Sequence, residues 1–244
     1  IKSDKRHKCI LNTPLSGSAF FYVYISTMAS NVYLDESGDL GWALDKPYRN
    51  GGSSRYLTIA FVVCPSEKKH LLRRIVVDVY NKTKFDPKQE LKGSALSLQT
   101  KCFLAEKVRK LVSMNPDITI GSITVNKSKV RQHIRDDSNK LYNYMIRLAV
   151  IPAISGHPIV NLIRDNKTVK VKSGNSLIDY LQTVLWFDCD SHTKIVDIPS
   201  DSKQVKNLIF IDWINNLIWG RYEDCNTQPY DIIKNVITST KLFF

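Results

Sequence analysis

The sequence predicts an α/β protein in which helices cover both faces of one central mixed sheet. Short apolar runs alternate with longer segments of helical periodicity from residue 31 onward. The run at residues 56–63 is apolar almost throughout, which is typical of a strand that is buried on both faces. The 244 residues are 43% hydrophobic and 24% charged, which excludes a disordered chain and allows a sizeable core.

The predicted sheet has about five strands. The first ends at the turn sequence Asp35-Glu36-Ser37-Gly38-Asp39, where a glycine and its polar neighbours stop the apolar run. The fourth strand begins after Pro158 and ends near Asp165. The predicted strands lie near residues 31–35, 56–63, 118–125, 159–164 and 193–198.

Helical spacing of apolar residues predicts the helices between these strands. Pro65 opens the first helix and Pro152 is expected to stop the third. The predicted helices lie near residues 66–80, 97–114, 130–151, 174–187 and 203–222, with a possible further one at 228–239. No internal repeat or low-complexity linker interrupts the pattern, so we expect residues 28–244 to form a single domain.

The first 27 residues differ in composition from the rest of the chain. They combine a basic patch with a short apolar run at residues 19–25, and Met28 follows. One interpretation is a targeting segment, and the other is an upstream extension before a start at Met28. We favour the extension, because the apolar run is short and aromatic, and we expect residues 1–27 to lie outside the fold.

The charge of the chain favours an anionic partner. Lys and Arg outnumber Asp and Glu by 35 to 23, and residues 28–244 keep a net charge of +9. Such a surplus attracts polyanions, of which nucleic acid, RNA or DNA, is the first candidate. A basic surface that only keeps the protein in solution is an equally good interpretation of charge alone.

Cysteine usage and hydropathy indicate the compartment. The five cysteines form no C-x-x-C pair, which favours reduced thiols in the cytoplasm. The longest apolar stretch, residues 57–64, is far shorter than the roughly 18 residues that a membrane-spanning helix needs. We therefore expect a cytoplasmic protein with no membrane partner.

Several common site types are excluded by their missing motifs. The chain has neither a G-x-x-x-x-G-K-[ST] loop nor a G-x-G-x-x-G turn after a strand, the two usual phosphate-binding loops. It has no G-x-S-x-G nucleophile turn and no His/Cys spacing for structural zinc.

Three carboxylates stand out by their positions. Asp35 and Asp165 each end an apolar strand, and ligands of α/β sheets gather at the carboxyl ends of strands. Asp212 lies in the apolar helical run 208–214, where an unpartnered carboxylate would be costly. Each acid alone is better explained by a cap, a turn or a strip of solvent exposure. Together they predict an acidic cluster at one sheet edge, of the kind that binds Mg²⁺ or Mn²⁺.

The sequence resembles a known family in several segments. Residues 32–39, Val-Tyr-Leu-Asp-Glu-Ser-Gly-Asp, resemble the opening signature of the bacterial and phage "domain of unknown function 3800" family. The resemblance covers about residues 31–224. It continues through Glu90-Leu91-Lys92-Gly93-Ser94, Leu141-Tyr142-Asn143, Asp165 and Asp201-Ser202-Lys203. One departure is that Ile209 and Ile211 replace the Gln and Ala of the Q-x-A-D core in the last family helix.

The resemblance implies an RNase H-like fold and a metal-dependent nuclease. The implied catalytic and metal-binding residues are Asp35, Glu90, Asp165 and Asp212. Two divalent ions held by such a set hydrolyse a phosphodiester, one activating water and the other stabilising the leaving oxygen.

Auxiliary roles follow with open alternatives. Glu36 is either an extra ligand or a turn acid, because neighbours on a strand point to opposite faces. Lys92 and Lys203 either contact the scissile phosphate or belong to a solvated surface, and Asp201 precedes the Asp212 helix as in the family. Three aromatic residues near the first turn either stack on bases or pack, namely Trp42, Tyr48 and Tyr56.

Two other functions stay compatible with the sequence. One is a nucleic-acid-binding or phage-defence-associated module that kept the fold without catalysis, which the altered surroundings of Asp212 favour. The other is an RNase H-like enzyme acting on a different phosphorylated substrate.

Overall fold

The computed structural model describes residues 29–165, 177–201 and 204–244, which form one central sheet. The predicted extension, residues 1–27, and Lys203 lie outside the described residues. The strands of the described part are β1 (Ala29–Ser37), β2 (Tyr56–Pro65), β3 (Thr119–Asn126), β4 (Ile159–Asp165), β5 (Lys194–Ser200) and β6 (Thr238–Leu242).

The strand order of the sheet is β5-β4-β1-β2-β3-β6. The first three strands form an antiparallel meander. β4 then lies parallel to β1, β5 lies parallel to β4, and β6 lies parallel to β3. An antiparallel meander extended by two parallel strands beside the first strand is the RNase H-like arrangement, so the predicted mixed α/β fold is confirmed. The sheet has six strands instead of about five, because β6 adds an edge that was not predicted.

Helices cover both faces of the sheet. Those in the described residues are α1 (Lys69–Thr83), α2 (Leu98–Met114), α3 (Gln132–Arg135), α4 (Ser138–Ile154), α5 (Leu177–Thr183), α6 (Lys206–Glu223) and α7 (Gln228–Ile233). Within this part of the chain, no helix is both long and apolar enough to cross a membrane.

Two hydrophobic cores lie on the two sides of the sheet. The core beneath α1, α2, α6 and α7 includes Tyr33 of β1. The core beneath α4 and α5 includes Val32 and Leu34 of the same strand. The alternation of β1 therefore assigns odd-numbered residues to the α6 side and even-numbered residues to the α4 side.

The prediction of one helix at residues 130–151 is wrong, because two helices occupy this segment and the second ends later, at Ile154. The chain breaks between α3 and α4, where the Asp137 carboxylate caps α4 by accepting from the backbone N–H of Asn139 and Lys140. Pro152 lies inside the last turn of α4 instead of ending it. The helix continues because Ser155 N–H still donates to the carbonyl of Ile151, so only the bond that Pro152 lacks is lost.

The possible helix at residues 228–239 is wrong in its second half. α7 ends at Ile233, and Thr238–Leu242 pairs with the outer edge of β3 as β6. The β-branched residues Thr238 and Thr240 favour a strand, and the edge of β3 supplies the hydrogen-bond partners. The described part of the predicted helix at 174–187 is α5, which passes into a π-helical turn at Val184–Asp188, and residues 174–176 lie outside the described residues.

Candidate active site

Asp35 and Asp212 meet between the carboxyl end of β1 and the helix α6. Asp35 is on the α6 side of β1, two residues beyond Tyr33. Its carboxyl shares a hydrogen bond with the carboxyl of Asp212. Burial raises the pKa of Asp35 well above its usual range, and the negative charges of Glu36 and Asp212 raise it further. Full ionisation of both carboxylates is therefore unfavourable in this buried position.

Asp212 is supported by the backbone of a neighbouring loop. Its Oδ2 accepts a hydrogen bond of 2.7 Å from the N–H of Gly93. A Cβ at position 93 would lie 2.7 Å from the Cβ of Asn216 and 3.1 Å from the carbonyl oxygen of Asp212. Glycine is required because no larger residue allows the loop to come this close to α6. Burial raises the pKa of Asp212, and the Gly93 hydrogen bond opposes that shift.

The loop that carries Gly93 also places Glu90 and Lys92 beside the pair. Trp213 on α6 donates to the carbonyl of Leu91 at 2.6 Å, which fixes the loop. Glu90 and Lys92 form an ion pair in which the Glu90 side chain is 12% exposed and that of Lys92 is 53% exposed. Both charges act on Asp212: the positive charge of Lys92 lowers the pKa of Asp212, and the negative charge of Glu90 raises it.

Glu36 faces the opposite side of the sheet. Its carboxylate accepts a hydrogen bond of 3.2 Å from the hydroxyl of Tyr142 on α4. Burial raises the pKa of Glu36 to about 7, and the negative charge of Asp165 adds to the shift while Arg164 opposes it. Alternation along β1 thus separates Glu36 from Asp35, and the extended backbone does not twist them to one side.

Asp165 lies at the same level of the sheet as Asp35. Leu34 of β1 is in register with Arg164 of β4, and each aspartate is the next residue on its strand. Arg164 forms two hydrogen bonds with Asp197, at 3.1 and 2.8 Å. Asp201 follows β5 and is exposed, with its carbonyl accepting from the N–H of Gln204 and Val205.

The Asp35–Asp212 pair could hold a hard cation. Two carboxylates that share a proton are oxygen ligands of the kind that Mg²⁺ and Mn²⁺ prefer. Over residues 29–165, 177–201 and 204–244, no three His, Cys, Asp or Glu side chains are arranged to hold a metal ion together. Glu90 is engaged by Lys92, and Glu36 by Tyr142.

The turn after β1 is anchored by a buried lysine that the sequence did not single out. Lys127 is 1% exposed, and its Nζ contacts the Asp39 carboxylate at 3.2 Å and the Asp39 carbonyl at 2.8 Å. Gly38 has φ +96°, and a Cβ there would lie 2.4 Å from the carbonyl of Tyr56. The Gly38-Asp39 part of the opening signature therefore shapes the backbone behind Asp35.

The three aromatic residues near this turn pack against the protein. Trp42 donates to Ser138 and lies beneath the Lys127 and Arg135 cations. Tyr48 packs edge-on against Trp219. Tyr56 packs against Tyr222 and Phe244.

Two further polar residues on α6 adjoin Asp212. Asn216, one turn later, accepts a hydrogen bond of 2.8 Å from Lys101 Nζ. Asn215 is fully buried, and neither its amide nitrogen nor its amide oxygen has a partner in the described part of the protein. The sequence carried a signal for both, because two asparagines inside the apolar run 208–219 are as unusual as Asp212 itself.

Two solved structures are similar to this chain at low sequence identity. A chain of the PCNA:RNase HII complex from Archaeoglobus fulgidus is 15% identical, with a TM-score of 0.48 over 82% of this chain and 77% of that one. Ribonuclease H2 from Pyrococcus horikoshii OT3 is 13% identical, with a TM-score of 0.46 and the same coverage. No family model and no curated protein matches the sequence. Similarity at this level assigns no activity.

Proposed function

We propose that this protein is a divalent-metal-dependent nuclease that hydrolyses phosphodiester bonds of RNA or DNA. The observation that carries the proposal is the Asp35–Asp212 pair at the carboxyl end of β1. Two buried carboxylates repel each other when both are ionised, so the pair needs a proton or a cation between them. Mg²⁺ or Mn²⁺ is the cation that such a donor set favours.

Some residues of the site would bind the ion, and others orient its ligands. Asp35 and Asp212 would hold the ion, and the Gly93 N–H fixes the Asp212 carboxylate that faces it. When bound, the ion activates water or stabilises the leaving oxygen of the phosphodiester. Glu90 and Asp165 are the proposed further ligands, and Glu36 is a proposed auxiliary acid on the α4 side.

A nucleic-acid substrate follows from the charge of the protein together with this site. Residues 28–244 carry a net charge of +9, which raises the local concentration of a polyanion. Lys92 is about half exposed beside Asp212, where it is available to a phosphate. The proposed partner is therefore RNA or DNA, and the proposed compartment is the cytoplasm.

The test is cleavage of a panel of labelled single-stranded RNA, single-stranded DNA, duplex DNA and RNA/DNA hybrid with Mn²⁺ or Mg²⁺. We expect cleavage by the wild-type protein, loss on chelation with EDTA, and a loss of at least about 100-fold in Asp35→Asn and Asp212→Asn. Asp45→Asn is the matched control, since Asp45 is exposed and no ion pair holds it in the described structure. Equal activity in Asp212→Asn and wild type would refute the proposal.

Binding without catalysis is the second candidate function. Ile209 and Ile211 are buried in the core at positions where the family that the sequence resembles has Gln and Ala, and Glu90 is engaged by Lys92. A protein of this kind would bind the same panel with an affinity that falls as salt rises, and would leave every substrate intact in Mn²⁺.

A further inference from the structure

Lys101 lies on α2 and contacts α6 one helical turn beyond Asp212. Its half-buried side chain reaches from α2 to α6, where Nζ donates to the Asn216 side-chain oxygen at 2.8 Å. Asn216 is one helical turn beyond Asp212, and the charge of Asp212 is among those that act on Lys101. Lys101 thus lies beside the carboxylate pair and is separated from it by one turn of α6.

The partner of Lys101 is neutral, unlike the partners of the neighbouring lysines. Lys92 is paired with Glu90, Lys127 with Asp39, and Lys107 with Asp78. In the described part of the chain, no carboxylate lies within 4.0 Å of Lys101 Nζ. An ammonium has three donors, so this half-buried group keeps two beyond its bond to Asn216.

A second cation, Arg49, adjoins the same place. Its guanidinium lies 5.2 Å from the ring centre of Tyr48 and 6.0 Å from that of Trp219, and it contacts Asp224 at 3.3 Å. Arg49 has φ +71°, a left-handed conformation that costs energy in a residue with a side chain. Trp219 is three residues beyond Asn216 on α6, so Arg49 and Lys101 contact the same stretch of this helix.

Of these two cations, Arg49 has a carboxylate in direct contact, and Lys101 has none in the described structure. Asp224 is the carboxylate in contact with Arg49, and its charge also reaches Lys101. Burial lowers the pKa of Lys101, as expected for an ammonium that has lost water without gaining a direct counterion. A bound anion with several acceptor oxygens would compensate both the lost hydration and the repulsion between the cations.

We propose that Lys101, with Arg49 beside it, binds a backbone phosphate of the nucleic acid next to the phosphodiester held at Asp35 and Asp212. This assignment rests on the proposed nuclease function and adds a substrate-binding residue to it. The bound phosphate fixes the position of the strand over the carboxylate pair. Lys101 is a binding residue in this arrangement and takes no part in bond cleavage.

The first test compares Lys101→Met with Lys107→Met in binding a fluorescein-labelled RNA/DNA hybrid without divalent ions. Both substitutions remove one charge from α2, but Lys107 is already paired with Asp78. We expect Lys101→Met to lower affinity about three- to tenfold at 0.1 M salt and to reduce the slope of log affinity against log salt by about one. We expect Lys107→Met to stay within about twofold of wild type and Lys101→Arg to recover most of the binding.

The second test replaces single phosphates of the labelled strand by neutral methylphosphonates. At the position that Lys101 contacts, wild type should lose affinity and Lys101→Met should lose no more, while both proteins respond alike elsewhere. Equal responses at every position, or an unchanged salt slope in Lys101→Met, would overturn the phosphate site alone. Failure of the wild-type protein to bind any nucleic acid would overturn the proposed function together with it.

Discussion

Asp35 and Asp212 share a hydrogen bond across the contact between β1 and α6, and the charge of Asp212 raises the pKa of Asp35. The two residues stand near opposite ends of the described chain. The protein therefore holds two carboxylates in a position where they destabilise each other, which is typical of a functional site.

Removing the charge of Asp35 should stabilise the protein in the absence of divalent ions. Burial raises the pKa of Asp35 in the folded protein, whereas the unfolded chain ionises this carboxyl freely. At pH 8 this difference lowers the free energy of unfolding. We expect Asp35→Asn to raise the free energy of unfolding by about 1 kcal/mol or more, measured by urea denaturation in EDTA. Asp45→Asn should leave that free energy unchanged. A destabilised Asp35→Asn protein would contradict the electrostatic account.

Glu36 should make the stability of the protein fall as the pH rises. Its pKa is raised from 4.5 to about 7, so between these values the folded protein keeps a proton that the unfolded chain has released. The free energy of unfolding consequently decreases through this window. Glu36→Gln should flatten the profile measured by denaturation between pH 5 and 8. A profile parallel to that of wild type would show that Glu36 is ionised throughout.

Gly93 should tolerate no side chain. A methyl group there meets the Cβ of Asn216 at 2.7 Å, so Gly93→Ala must push the loop away from α6 and lengthen the hydrogen bond to Asp212. We expect a loss of about 1–3 kcal/mol in stability together with reduced cleavage. Gly156→Ala is the matched control because nothing lies within 4 Å of a Cβ at that position. Similar melting temperatures for the two variants would contradict this close approach.

Asn215 should be replaceable by an apolar residue at a gain in stability. Each unpartnered buried polar group costs about 1–3 kcal/mol, and both ends of the Asn215 amide are unpartnered in the described structure. Leucine has the same branched skeleton of side-chain heavy atoms as asparagine, so Asn215→Leu should raise the melting temperature by a few degrees. Asn216→Leu should instead lower it, because Asn216 accepts from Lys101.

The sequence predicts the central sheet well because buried strands leave long apolar runs. β2 is an example, since eight of its ten residues are buried. β6 has mostly exposed residues, and its strand conformation depends on the free edge of β3. No local pattern in residues 238–242 reveals that edge. The helical periodicity that ends at Ile233 therefore predicts a longer helix than the structure has.

The site was predictable where position alone is unusual. A strand-end aspartate and an aspartate inside an apolar helix indicated the pair that the structure brings together, whereas their metal-binding and catalytic roles stay predictions. Lys101 and Lys127 were not predictable, because each is one of 35 basic residues and its significance depends on burial. Burial of a single lysine follows from tertiary packing and leaves no mark in the neighbouring sequence.

The order of the elements along the chain has a consequence for biosynthesis. β1 leaves the ribosome early, but α6, which supplies Asp212, follows only after β2 to β5 have been made. The carboxylate pair therefore cannot exist on a short nascent chain, however well the first strands have folded.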